Sequence, residues 1–256
     1  MARIFITGSA DGLGQMSAQL LITQGHEVVL HARHAQRARE AEERIVGAVD
    51  VLVGDLSNLE QTKELARKAN TLGTFDAVIH NAGVYQTTAE QIFSVNTLAP
   101  YILTSLMYTP KRLVYLTSGM HLQGRATLSS LKKDDIKRLT YSDSKLHVMM
   151  LTKAVARKWP AVFANAVDPG WVPTKMGGRN APDDLQKGYE TQSWLASSDD
   201  ATVKVSGQYF HHQQARVYNA AADSVELQEQ LLSTLADITG VPPLAAPTFY
   251  NHNLYH

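Results

Sequence analysis

Short apolar runs alternate along this chain with longer stretches in which apolar residues recur at helical spacing. The runs at residues 3–7, 27–31, 50–54, 75–80, 112–117 and 163–167 have strand length and are rich in Val, Ile and Leu. The intervening stretches predict helices over 13–24, closed by Gly25, then over 35–46, 59–69 and 90–108. A helix over 141–159 stops before Pro160. A last helix over 225–238 carries the stripe Leu227, Leu231, Leu232 and Leu235. Strand–helix alternation at this spacing implies parallel βαβ units. The expected class is therefore α/β, a doubly wound parallel β-sheet flanked by helices in three α/β/α layers. There is no internal repeat, and the pattern reads as one domain over 1–256. The proline-rich residues 241–256 after Gly240 read as an irregular tail on the surface.

Composition narrows the function classes. The chain has 256 residues, 44% hydrophobic and 19% charged, as in ordinary globular proteins. Lys plus Arg and Asp plus Glu are 24 each, so no global charge favours nucleic acid or an anionic membrane. Without cysteine there are no disulfides, no thiolate catalysis and no cysteine-bound zinc. His121, His211 and His212 have no carboxylate at ligand spacing, so they read as surface or pocket-rim histidines and no metal is expected. The opening residues run directly into a strand with no signal-peptide core. No apolar run approaches the ~20 residues of a membrane helix. A cytoplasmic protein is expected.

Two motifs carry chemistry. Thr7-Gly8-Ser9-Ala10-Asp11-Gly12-Leu13-Gly14 lies between the first strand and the first helix. Glycines there permit a tight turn and close approach of a pyrophosphate, which the helix N-terminus attracts. Tyr141 and Lys145 stand four residues apart, on one face of a helix. A free phenol, with a pKa of about 10, is a poor base at neutral pH. A neighbouring cation favours its ionised form. A hydride carrier beside a tuned phenol suggests carbonyl/alcohol redox chemistry. Asn81-Ala82-Gly83, Ser118 and Pro169-Gly170-Trp171-Val172-Pro173-Thr174 follow the fourth, fifth and sixth strands, and Asn96 lies in the next helix. Open parallel sheets place their binding crevice at that edge.

In the type, order and setting of these motifs the chain resembles the short-chain dehydrogenase/reductase family, in its shorter, single-domain branch with a Rossmann-type fold. The resemblance runs from Arg3 to about Thr174 by motif, and more loosely to Gly240. It implies a pyrophosphate turn formed by Gly8, Ser9, Asp11, Gly12, Leu13 and Gly14. Asp55 and Leu56 would contact adenine, and Asn81, Ala82 and Gly83 the adenosine ribose. Pro169, Gly170, Val172 and Thr174 would sit at the nicotinamide. Tyr141 would be the proton donor and acceptor, with Lys145 lowering its pKa and binding the nicotinamide ribose. Ser118 would bond the substrate oxygen, and Asn96 would order a water beside Lys145. After the second strand the chain reads Ala32-Arg33 where an acid would bind a ribose 2′-hydroxyl. Arg33 can pair with a 2′-phosphate, so NADP(H) is expected over NAD(H), which stays open. Asp11 departs from this pattern, since a carboxylate near a phosphate is unfavourable unless it faces solvent.

Other departures bear on substrate and partners. Ser118 and Tyr141 have 22 residues between them. The extra segment 123–140 is basic at Lys132, Lys133, Lys137 and Arg138. It reads either as a solvated excursion or as a pocket wall that could block an oligomer interface. His80 replaces the first residue of the usual Asn-Asn-Ala-Gly, and should change a local hydrogen bond. Residues 175–195, with glycines and a proline, read as a substrate lid. Trp171, Met176, Leu185, Trp194 and Phe210 could form an apolar pocket, or belong to the core. The expected substrate is a small-molecule carbonyl or alcohol, mid-sized and apolar. Two other readings are a sugar-nucleotide epimerase or dehydratase and a non-catalytic dinucleotide sensor. A homodimer or homotetramer built on the 90–108 and 141–159 helices and a monomer are all compatible with the sequence.

Overall fold

A computed structural model describes residues 1–131, 136–245 and 247. Lys132 and Lys133, and the end of the tail, lie outside them. Eight strands form one sheet: β1 (Arg3–Ile6), β2 (Glu27–Ala32), β3 (Asp50–Val53), β4 (Ala77–His80), β5 (Arg112–Leu116), β6 (Phe163–Asp168), β7 (Tyr209–His211) and β8 (Gln214–Ala215). Their order is β3-β2-β1-β4-β5-β6-β7-β8, with every pairing parallel except β7–β8. The order reverses between β1 and β4, where Ile4 pairs with Val28 on one side and Ala77 on the other. That reversal opens the crevice expected at the carboxyl ends. The central strands are buried on both faces, as parallel sheets covered by helices require.

Helices α1 (Gly12–Thr23) and α2 (Ala35–Arg44) pack on one face, α3 (Leu59–Thr71) on the other. The expected helix over 90–108 is three pieces: α4 (Ala89–Phe93), a π-turn (Ser94–Leu98) and α5 (Ala99–Leu106). The long α6 (Tyr141–Lys158) opens with a capping box in which Thr140 accepts the Asp143 N–H and Asp143 accepts the Thr140 N–H. Residues 143–152 of α6 are all buried, as are residues 99–104 of α5. Covering α6 are α8 (Val225–Thr239) and the segment leading into it.

Three elements differ from expectation. The second half of the expected lid is helix α7 (Leu185–Ser197), started by an Asp184 cap and packed on α1 and the sheet. Strands β7 and β8 were not expected at all. Tail residues 241–245 are irregular, but Val241 and Leu244 are buried rather than superficial. The Tyr101 hydroxyl donates to the Val241 and Pro242 carbonyls (2.8 and 3.0 Å), and the Trp159 indole to the Ala245 carbonyl (2.7 Å).

The described part of segment 123–140 is no solvated excursion. Leu128, Leu131 and Leu139 enter the core. Arg125 ties the segment to Asp143 through its N–H (2.7 Å) and its guanidinium (3.1 Å). The five residues proposed for one apolar pocket separate. Trp194 and Phe210 meet edge to face in the core, whereas Trp171 and Met176 are exposed. Among the described residues no helix is long and apolar enough to cross a membrane.

Candidate active site

A groove of about 530 Å³ runs along the carboxyl edge, from Arg33, Asp55 and Leu56 across the glycine turn to Tyr141 and Lys145. Asp11 caps α1 by accepting the Gly12 N–H (2.8 Å), so the helix starts at the groove. Nothing lies within 4 Å of where a Gly12 Cβ would stand, and the backbone there is open to a ligand. Gly14 faces the other way: its Cβ would meet Asn81 Nδ2 at 2.4 Å and the Gly8 oxygen at 2.6 Å. Only glycine allows that approach. The Asn81 amide donates to the Thr7 and Gly8 carbonyls (2.9 and 3.2 Å), and Thr7 Oγ1 accepts the Ala82 N–H (3.0 Å). Asn81 and Ala82 thus lock the turn to the end of β4. Leu13, Ala82, Gly83, Pro169 and Thr174 also line the groove.

Some expected cofactor contacts are spent inside the fold. The Ser9 hydroxyl is buried, donating to the Ile6 carbonyl and accepting the His31 N–H (both 2.8 Å). Val172 is buried and bonds Thr174 through its carbonyl. The Gly170 N–H donates to Asp168 (2.9 Å). The histidine at the end of β2 went unnoticed as a functional residue. His31 accepts the Gly8 N–H on Nδ1 (2.9 Å) and donates from Nε2 to the Gly54 carbonyl (2.8 Å). One ring therefore clamps the glycine turn to the ends of β2 and β3. Burial pushes it down to about 4, against the pull of the Gly54 carbonyl and Asp55, so it stays neutral.

The adenosine end carries more charge than expected. Arg33 Nε donates to Asp55 (2.8 Å), which also accepts from the Ser57 N–H and hydroxyl. Arg37 and His34 line the same end. Asp11 does not simply face solvent: Arg37 Nη2 bonds it at 2.8 Å, and Lys175 reaches it from across the groove. Burial pulls this carboxyl upward, but Lys175, Arg37 and the Gly12 N–H outweigh it and hold it at about 2. The cluster Arg33, His34, Arg37 at the start of α2 was the signal in the sequence. Lys175 had none.

At the other end, β5 and α6 are stitched together. Thr117 Oγ1 donates to the Lys145 carbonyl and Lys145 Nζ to the Leu116 carbonyl, both at 2.8 Å. The Ser118 hydroxyl lies close enough to the Tyr141 phenol to favour its ionised form. The Tyr141 ring also meets Tyr85 at 4.8 Å. Burial pushes Tyr141 up to about 12; Ser118 opposes this, and Asp168 and Tyr85 add to it. The lowering expected from Lys145 is not seen. Its ammonium stands 5.5 Å from the ring centroid, and burial depresses it to about 8, with Asp168 opposing. At neutral pH the phenol holds its proton. Asn96, in the π-turn, is held by protein: Oδ1 accepts the Val84 N–H (2.8 Å), and Nδ2 donates to the Val84 carbonyl (3.0 Å) and Ser144 Oγ (3.1 Å). Its side chain fixes the 83–96 loop beside Lys145.

The histidines also differ from expectation. His121 is fully buried, donating from Nδ1 to the Ser118 carbonyl (2.7 Å) and accepting the Asn219 N–H on Nε2 (3.3 Å). His80 stacks on Tyr115 and bonds Thr104 (3.3 Å), the local change expected of it. Among the described residues no three His, Asp or Glu side chains gather as a metal site.

A doubly wound sheet with a dinucleotide groove, ending at a Ser–Tyr–Lys set, defines a nicotinamide-dependent oxidoreductase architecture. Residues 2–185 match the short chain dehydrogenase family, and the chain belongs to it. It is 45% identical over 254 residues to an uncharacterized oxidoreductase of Emericella nidulans, covering 94% of this chain and 98% of that one. A Mycobacterium paratuberculosis crystal structure superposes with a TM-score of 0.80 at 24% identity, covering 95% of each chain. A metagenomic blue fluorescent protein in complex with NADPH superposes at 0.67 and 20% identity, covering 82% of this chain and 95% of that one.

Proposed function

We propose that this oxidoreductase reduces a mid-sized apolar ketone or aldehyde to the alcohol, using NADPH. The observation that supports this reading is the placing of Tyr141 and Lys145 at one end of the dinucleotide groove, at the carboxyl end of β5. In the reductive direction the phenol is the proton donor. The groove residues fit a dinucleotide: the open backbone at Gly12, the start of α1, and Lys145 and Tyr141 where the ribose and nicotinamide would lie. A bound dihydronicotinamide supplies the hydride. As the carbonyl carbon takes the hydride, the Tyr141 O–H bond breaks and its proton passes to the substrate oxygen. Ser118 donates to that oxygen as negative charge develops. Lys145 keeps a cation beside the phenol after the proton leaves.

Arg33 supports NADPH over NADH. Its Nε is oriented by Asp55, which leaves the terminal amino groups for a 2′-phosphate, with Arg37 and His34 alongside. Exposed Tyr85 and Met176 on loops, with Met120 and Leu122 on the 3₁₀ turn that follows Ser118, support an apolar substrate. Residues 175–184, with Gly177, Gly178 and Pro182, are the part of the expected lid that lies outside helix α7.

The test is a panel of carbonyl compounds followed by NADPH and NADH absorbance, with Tyr141→Phe as the control. That variant should lose at least ~10³-fold in turnover while binding NADPH within about threefold of wild type. Undiminished turnover would overturn the mechanism.

A further inference from the structure

A buried ring anchors the turn that carries Ser118. Ser118 caps a 3₁₀ turn (Gly119–Gln123) after β5. Within that turn His121 points inward and is 0% exposed, whereas its neighbours Met120 and Leu122 are exposed. His121 Nδ1 donates to the Ser118 carbonyl (2.7 Å), which also accepts the His121 N–H (2.9 Å). Its Nε2 accepts the Asn219 N–H (3.3 Å). One neutral tautomer satisfies both ring nitrogens, with the proton on Nδ1. The edge-to-face contact with Tyr209, at 4.7 Å, holds the ring from a third side. Asn219 comes from the segment between β8 and α8, 98 residues further along the chain. Its Nδ2 donates to the carbonyls of His121, Leu122 and Gly124 (3.4, 3.3 and 3.3 Å). Gly124, just past the turn, lies against the start of α6: a Cβ there would meet the Ser142 carbonyl oxygen at 2.5 Å and Leu146 Cβ at 2.8 Å. The turn is thus held between Asn219 and the end of the helix that carries Tyr141.

We propose that His121, seated on Asn219, is a positioning residue for carbonyl reduction: it fixes the backbone of Ser118 so that the serine hydroxyl meets the substrate oxygen beside Tyr141. The proposal rests on Ser118 bonding that oxygen as described above. Ser118 is held on both sides. Before it, the Thr117 N–H donates to the Val167 carbonyl and Thr117 Oγ1 to the Lys145 carbonyl, both at 2.8 Å. After it, the His121 ring and N–H both hold its carbonyl. Ser118 Oγ accepts the Met120 N–H (3.3 Å), which leaves the hydroxyl proton for the substrate. A donor that acts on charge developing in the transition state has to be in place before the reaction, and small displacements of such a group are costly. His121 supplies that placement from the side of the turn away from the substrate, while Met120 and Leu122 stay on its outer face.

Amide side chains separate the two bonds of the ring. In His121→Asn the amide nitrogen takes the place of Nδ1 and keeps the bond to the Ser118 carbonyl. In His121→Gln the amide oxygen takes the place of Nε2 and keeps only the bond from Asn219. Each variant loses one bond and some packing, so urea midpoints should fall in both. Turnover should not follow stability: kcat for carbonyl reduction should fall at least about tenfold in His121→Gln and stay within about threefold of wild type in His121→Asn, with NADPH binding within about twofold in both. The loss should also act through the serine. A variant carrying both Ser118→Ala and His121→Gln should be no slower than Ser118→Ala alone. If either His121 variant fails to fold, Asn219→Ala, at the half-buried outer end of the network, takes its place and should lower kcat in the wild-type background but not beside Ser118→Ala. Equal kcat in the two His121 variants, or a loss that adds to that of Ser118→Ala, overturns the proposal. Undiminished kcat in Ser118→Ala itself would instead overturn the reading on which it rests, which separates the two failures.

Discussion

Arg33 and His31 sit two residues apart and illustrate two kinds of residue-level control. Arg33 faces the groove, and Asp55 holds its Nε. Arg33→Ala should raise the KM for NADPH about tenfold or more, the worth of one charge-assisted pair, and leave that for NADH within about twofold. Cofactor titrations at fixed carbonyl substrate check this. His31 is turned inward, neutral and fully bonded. Its folded pKa of about 4 lies below the unfolded value of 6.5, so above pH 6.5 neither state takes a proton and stability is unaffected. As pH falls from 6.5 to 4 the unfolded chain binds a proton that the folded chain refuses, at a cost of about 3 kcal/mol. His147, also near 4, and His80, near 3, act in the same direction. Denaturant midpoints should therefore fall steadily across that window, and less steeply in His31→Gln. The sequence showed Arg33 because its neighbours define a position after a strand. It hid His31, whose partners Gly8 and Gly54 lie 23 residues away on either side.

The elements that hold the groove are joined by short-range sterics more than by charge. Gly14 is a tight point, where α1 crosses the Asn81 amide. Gly14→Ala should push Asn81 off the Thr7 and Gly8 carbonyls, destabilise the fold by about 2 kcal/mol and weaken NADPH binding at least tenfold. Urea unfolding and a fluorescence titration of NADPH measure the two effects. The glycine spacing was legible because a strand, a turn and a helix follow each other in sequence. The glycines and proline behind the lid expectation, Gly177, Gly178 and Pro182, all lie before α7. The Asp184 cap and the buried Thr191, Gln192, Ser193, Leu195 and Ala196 make it a helix once α1 is beside it. The π-turn at Asn96 was equally hidden, since its extra residue shows only in the backbone bond from the Ala99 N–H to the Ser94 carbonyl, five residues back.

At the scale of the whole molecule the chain covers its own helices. Residues 143–152 of α6 and 99–104 of α5 have no exposed face left for a partner, because α8, the leucines of the 123–140 segment and residues 241–245 lie over this side of the sheet. A dimer or tetramer built on those helices would need that cover removed. The expected result is a monomer of about 28.1 kDa at micromolar concentration, by sedimentation velocity. A stable dimer would show that another surface is used. By itself the sequence determined the layered parallel sheet and the dinucleotide turn, and pointed to Ser118, Tyr141 and Lys145 as the candidate set, because periodicity and strand-end motifs are local properties of a chain. Tertiary structure decided the rest: that Asp11 is neutralised from both sides of the groove, that the phenol is buried, and that His31 clamps the glycine turn. Those depend on charges and burial brought together from distant segments, and no spacing along the chain encodes how deeply a group is buried or which charge it will face.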